Sequence, residues 1–255
     1  MTQDNGEHLR VESRSPPSGN EARRWLLPIG YGRPPRPASA KQVLSRVSGA
    51  ARPRQWQEKL AWATTPPLVR AVGKVAWQMS VDLGEGFPDP PFVLAANHHS
   101  FLDAFIIGAI VRDEVRFLAL EDLFGNYRWV DYALRTYGVI PLRRGVVPLG
   151  PVRAALAHLS ADGVVGLFPE GTRHWAFDPT RARPGGAWLA TRAGVPLVPV
   201  ALMGTETVLG VDNRLRAGRV RVTVGPPLRG DGMDRHSVED LHSRWAVWVA
   251  EAVDG

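Results

Sequence analysis

The 255-residue chain contains no cysteine. That excludes a disulfide framework, a thiolate nucleophile and any cysteine-based metal site. It also lacks a run approaching the ~18 uninterrupted apolar residues of a membrane-crossing helix. The opening stretch, MTQDNGEHLRVESRSPPSGNEARRW, has early acidic residues and no apolar centre, so no secretory signal and a cytoplasmic location are expected. No Gly-x-Ser-x-Gly stretch is present, so a serine-elbow nucleophile is not expected.

The chain does contain enough apolar material for a core: 44% of residues are hydrophobic and 22% charged. The formal net charge is +6, but it is unevenly placed. Residues 1–75 hold 13 Lys+Arg against 5 Asp+Glu, and the remainder hold 18 against 20. Residues 1–40, with SPPSG and YGRPPRPASA, read as a basic, Pro/Ser/Gly-rich disordered extension. Such a segment suits an anionic surface, membrane or nucleic acid, or is simply a solvated tail. Residues 41–79 read as an amphipathic helical segment interrupted at Pro66-Pro67. Its stretch PLVRAVGKVAWQM fits either a helix lying on a membrane or a core-packing helix with Arg70 and Lys74 exposed.

Residues 80–255 read as one α/β domain with a mixed, largely parallel central sheet flanked by helices. FVLAAN, VRFLAL, GVIPL, VVGLF, PLVPVALM and RVRVTV are the strands. FLDAFIIGAIV, GPVRAALAHLSADG, GGAWLATRAGV and SVEDLHSRWAVWVAEAV are helices, the third closed by Gly194 and the last N-capped by Ser237.

Chemistry-bearing residues cluster where strands end. In AANHHSFLDA, Ser100 and Asp103 have the spacing of a helix-capping pair, which accounts for both without any function. Capping leaves Asn97, His98 and His99 unexplained at the end of a buried strand, where open α/β sheets place ligand sites. Five residues turn a helix by about 140° from a multiple of full turns, so His98 and Asp103 do not share a helical face. A His98 placed just before the helix, however, can fold back and donate to Asp103, leaving its other nitrogen as a general base. FPEGTR, Phe168 to Arg173, reads either as a turn with an ion pair or as an anion site in which Gly171 admits backbone N–H groups and Arg173 grips a phosphate. Arg143 and Arg144 end another strand.

The order of four blocks, Asn-His-x-Ser-x-x-Asp, Gly-x-Ile-Pro-x-x-Arg, Phe-Pro-Glu-Gly-Thr-Arg and Val-Pro-x-Val-Pro-Val, resembles the glycerolipid acyltransferases over residues 68–228. The resemblance implies His98 as the base, oriented by Asp103. It implies that Arg144, Glu170, Gly171, Thr172, Arg173 and Arg183 bind the acceptor, and that Pro196 and Pro199 shape a strand. It further implies direct transfer from acyl-CoA or acyl carrier protein to a lysophospholipid, by default 1-acylglycerol-3-phosphate, with no metal, cofactor or nucleic acid. The oxyanion would be met by backbone N–H groups near the helix start or Gly171. Peripheral contact with the anionic inner face of the cell membrane completes the expectation. The sequence departs from the family in having His99 after the base, Arg143 before Arg144, and a basic extension in place of N-terminal membrane helices.

Three other readings compete. One is an acyltransferase for a different lysolipid. Another is a metallohydrolase using His98, His99 and Asp103, which is disfavoured because adjacent residues of an extended segment face opposite ways. The third is a non-catalytic membrane- or nucleic-acid-binding protein, which leaves the His–Asp and Glu-Gly-Thr-Arg sets unexplained.

Overall fold

The strand Phe92–Ala96 is apolar at every position and buried at every position, which is the signature of a central strand covered on both faces. A computed structural model describes residues 25–28, 55–120, 123–124, 128–142, 149–212 and 214–255. In chain order its elements are β1 (Trp25–Pro28), α1 (Gln55–Ala76), β2 (Ser80–Asp82), β3 (Phe92–Ala96), α2 (Leu102–Ile110), β4 (Val115–Leu120), α3 (Arg128–Thr136) and β5 (Ile140–Leu142). There follow α4 (Leu149–Leu159), β6 (Val164–Leu167), α5 (Gly185–Ala193), β7 (Leu197–Met203), α6 (Thr205–Leu209), β8 (Arg214–Arg216), β9 (Arg221–Val224) and α7 (Arg235–Asp254).

Seven strands form one sheet in the order β2-β9-β7-β3-β6-β4-β5. The run from β7 to β5 is parallel, β9 is antiparallel to β7, and β2 lies parallel to β9. The sheet is mixed and mostly parallel, as expected. Because side chains alternate across a strand, β3 feeds two cores. Phe92, Leu94 and Ala96 join Ile106 and Ile107 of α2, with Trp62 and Val69 of α1 packed against them. Val93 and Ala95 join Ala155 and Leu159 of α4, Leu189 of α5, and Leu241, Trp245 and Val249 of α7. Trp245 also donates its indole N–H to the Ala95 carbonyl at 3.0 Å, so its burial leaves no polar atom stranded.

Local signals set several boundaries. Gly194 closes α5 in the left-handed region at φ 69°, as a C-terminal glycine does. The last helix starts two residues before the expected cap: Asp234 is the N-cap and accepts from the Ser237 N–H at 2.8 Å, since a carboxylate three residues upstream competes for that donor. The expected break at Pro66-Pro67 does not occur, and α1 runs through both prolines. Tertiary contacts on its inner face compensate for the two missing donors. Trp62 meets Tyr137 edge-on at 5.4 Å, Thr65 shares a hydrogen bond with the Tyr137 hydroxyl, and Arg70 donates to the Ala109 carbonyl of α2. Within the expected extension, Trp25–Pro28 forms a strand antiparallel to β8; residues 1–24 and 29–54 lie outside the described residues.

One glycine connects the sheet to the site. A Cβ at Gly166 of β6 would lie 2.6 Å from the Phe117 ring and 2.9 Å from Val115. The bare backbone therefore lets Phe117 stack on Phe168 with centroids 5.5 Å apart. Gly166→Ala is expected to cost about 1–3 kcal/mol through overpacking, read as a lowered midpoint in urea denaturation. An unchanged midpoint would show that Phe117 has room to move.

Candidate active site

Two loops meet because their strands are parallel neighbours in a fixed register. Ala95 of β3 pairs with Leu167 of β6, so His98 and Glu170, each three residues further on, emerge side by side. The His98 N–H donates to Glu170 Oε2 at 2.7 Å, and the His98 ring stacks on Phe168 at 4.0 Å, with 12° between the planes.

His98, just before α2, folds back onto Asp103 as their spacing allows: its Nδ1 lies 2.9 Å from Asp103 Oδ2. The Asp103 side chain is 0% exposed and the His98 side chain 17%, so the carboxylate is sealed while the imidazole reaches solvent. Asp103 Oδ2 also accepts from the N–H groups of His99 and Ser100, each at 2.7 Å. This is one half of the expected capping pair. The other half differs: α2 has Phe101 at its N-cap, and Ser100 Oγ accepts from Leu102 N–H at 3.0 Å while donating to the Leu209 carbonyl. With Nδ1 directed at a carboxylate, Nε2 of His98 is the nitrogen left with a lone pair.

Asn97 continues β3 by side chain. Its amide accepts from the Leu202 N–H and donates to the Leu202 carbonyl of β7, both at 2.8 Å. His99 is 2% exposed and has both ring nitrogens engaged, Nε2 with Asn97 at 2.7 Å and Nδ1 with the His174 carbonyl at 2.7 Å. Among the described residues no cluster of three or more metal-ligating side chains occurs.

Glu170, expected among the acceptor-binding residues, is buried and turned toward the His98 N–H. It is 6% exposed, and its buried Oε1 has no hydrogen-bond partner among the described residues. Gly171 completes a turn at φ 70°, its N–H donating to the Phe168 carbonyl at 2.9 Å. Of the backbone donors expected to meet an oxyanion, near the helix start or at Gly171, the N–H groups of Ser100 and Gly171 are engaged internally. Thr172 is exposed. The Arg173 guanidinium lies 3.6 Å over the Phe101 ring and borders an open cleft of about 690 Å³, which His174, Trp175, Phe177 and Arg181 also line. Arg181, which the sequence pattern did not single out, pairs with Asp178 at 3.1 Å and donates to His174 Nδ1 at 3.1 Å. Arg183 is exposed and does not line the cleft, although its N–H donates to the Pro169 carbonyl at 3.0 Å. Arg143 and Arg144 lie outside the described residues.

Burial pushes the Glu170 carboxyl up to about 7, against the opposing pull of the His98 N–H. Between its ordinary value near 4.5 and about 7, the folded chain keeps a proton that the unfolded chain has released. Stability therefore falls as pH rises through that window. Relative to Glu170→Gln, the wild type is expected to lose stability between about pH 5 and about pH 8 in paired denaturation curves. A pH-independent difference would mean that the carboxyl titrates normally.

Comparison with known proteins agrees with this architecture. Residues 78–203 match the family model described as Acyltransferase. The chloroplastic 1-acyl-sn-glycerol-3-phosphate acyltransferase LPAT1 of Arabidopsis thaliana is 29% identical over 165 residues, 62% of this chain and 46% of the relative. The 1-acyl-sn-glycerol-3-phosphate acyltransferase of Pseudomonas aeruginosa is 25% identical over 177 residues, 66% of each chain. The chain thus spans under half the length of the plant relative and about two thirds of the bacterial one. The crystal structure of the 1-acyl-sn-glycerophosphate acyltransferase PlsC from Thermotoga maritima shares the fold, with a TM-score of 0.63 over 82% of this chain and 86% of that one, at 24% identity. The resemblance to the acyltransferase family thus rests on residues 78–203, just under half of the chain, and on the shared fold.

Proposed function

We propose that this chain transfers a fatty acyl group from an acyl thioester, acyl-CoA or acyl carrier protein, to the free hydroxyl of 1-acylglycerol-3-phosphate, giving phosphatidic acid. The observation that carries the proposal is the His98–Asp103 pair. A sealed carboxylate 2.9 Å from Nδ1 holds a partly exposed imidazole in the tautomer that leaves Nε2 basic. In this reading Nε2 takes the proton of the acceptor hydroxyl as its oxygen attacks the thioester carbonyl. The tetrahedral oxyanion then collapses, the C–S bond breaks, and the imidazolium returns its proton to the departing thiolate. Asp103 stabilises the transient charge on His98 without being protonated. Phe168, stacked on the ring, limits its rotation.

Arg173, at the cleft edge directly after the Glu-Gly-Thr turn, is the described cation best placed for the acceptor's phosphate, together with Arg181. Glu170 supports the backbone of the base and is not an acceptor ligand in this reading. A phosphate-bearing acceptor distinguishes the proposal from transfer to an uncharged lysolipid.

A lipid substrate requires access to a membrane surface, and α1 supplies a face for it. Leu60, Leu68, Val72 and Val75 are exposed along one side of α1, Leu68 to 63% and Val75 to 84%. Lys59 and Lys74, also exposed, edge that stripe. Among the described residues no helix is long and apolar enough to cross a membrane. In this reading the chain lies peripherally on the anionic inner face of the cell membrane, with the exposed stripe of α1 in contact.

Acyl transfer from labelled acyl-CoA to lysophosphatidic acid should proceed with the wild type and fall about 10²–10⁴-fold in His98→Ala and Asp103→Asn. Equal rates in wild type and His98→Ala would remove the base. Product with an uncharged lysolipid but none with lysophosphatidic acid would move the proposal to another acceptor. Cosedimentation with phosphatidylglycerol-containing vesicles should drop about tenfold or more in Leu68→Asp/Val75→Asp, since each exposed side chain stands to bury about 1.5–3 kcal/mol of apolar surface. Undiminished binding would exclude the α1 face.

A further inference from the structure

His99 occupies a position at which the four-block pattern sets no residue type, and the structure commits every polar atom of this side chain. The chain of contacts fixes its state. Asn97 Oδ1 accepts from the Leu202 N–H, so the amide cannot flip, and Nδ2 is the atom that faces both the Leu202 carbonyl and His99 Nε2. Nε2 must therefore accept. The His174 carbonyl can only accept, so His99 Nδ1 carries the proton. His99 is the neutral Nδ1–H tautomer, and it joins β7, through Asn97, to the loop after the Glu-Gly-Thr-Arg turn. The same loop is tied a second time by the His174 N–H, which donates to the His98 carbonyl at 2.9 Å.

That loop carries Arg173, His174, Trp175, Phe177 and Asp178, all lining the cleft, and His174 Nδ1 in turn accepts from Arg181. We infer that His99 is a positioning residue that clamps the 173–178 loop to the end of β3, so that the cleft this loop lines is pre-formed instead of being ordered by the ligand. It touches no substrate. Losing the clamp would leave the His174 carbonyl and one Asn97 N–H without this partner, and ordering the loop would then draw on binding energy. The kinetic consequence rests on the acyl-transfer reading above; the clamp itself does not.

Two variants separate the contacts. His99→Asn keeps a donor near the Nδ1 position, whereas His99→Gln reaches Asn97 but loses the His174 carbonyl. Hydrogen exchange of the full-length protein should accelerate about tenfold in residues 173–178 for His99→Gln and stay near wild type for His99→Asn. The KM for lysophosphatidic acid should rise about tenfold in His99→Gln with kcat within about threefold, and recover in His99→Asn. Unchanged exchange at 173–178 in His99→Gln overturns the clamp. Faster exchange with an unchanged KM, or a loss confined to kcat, overturns its role in forming the cleft. If the wild type does not acylate lysophosphatidic acid, the proposed reaction fails, and the exchange result alone decides whether His99 holds the loop.

Discussion

A carboxylate removed from water must be surrounded by donors, and the site is built around meeting that demand at Asp103. One oxygen accepts from the His98 ring and from two consecutive backbone N–H groups. Those bonds leave little freedom between residues 98 and 103: the turn wraps the carboxylate, and the imidazole is placed as part of the wrapping. The cost of burying a charge, several kcal/mol for an unpaired ion, thereby becomes rigidity in the residue that faces solvent. Among the described residues Oδ1 of the same carboxylate has no hydrogen-bond partner, so the satisfaction is concentrated on one oxygen.

Around this turn the sheet supplies the remaining parts by adjacency. β3 lies between β6 and β7, and each neighbour reaches the turn differently. From β6 come Phe168 behind the imidazole and Glu170 under the His98 N–H. From β7 comes Leu202, held by Asn97. A residue in the turn is therefore fixed from its own helix, from one strand to each side and from the loop at His174. The His98 imidazole is held by backbone geometry more than by side-chain packing, and it keeps one nitrogen free of Asp103.

The sequence made visible what depends on near neighbours. Continuous apolar runs gave the buried strands, Gly194 the end of α5, and a five-residue separation the pairing of His98 with Asp103. Features that depend on a partner far along the chain were hidden. Glu170 faces inward because β6 settles beside β3, a placement that nothing within FPEGTR encodes. His99 stood out only as a departure from the family pattern, because one of its partners is a backbone carbonyl 75 residues away, and carbonyls carry no sequence signature. Pro66 and Pro67 argued for a break in α1 on local grounds that contacts with Tyr137 and Ala109 outweigh. At Ser237, a better cap stood three residues upstream, so the signal was present but misweighted.

The strand order also sets a timetable. β3 is made early, yet both strands that pair with it, β6 and β7, begin about 70 and about 105 residues later in the chain. During synthesis its two edges stay open, and loop closure over such separations is slow compared with helix formation. An all-apolar five-residue strand with unpaired edges is the kind of segment that associates with other chains while it waits. The same arrangement that places Glu170, His174 and Leu202 around one turn means that no fragment ending before β7 holds an assembled site. The complete site arrives late and all at once, and the nascent chain is exposed to misassociation until it does.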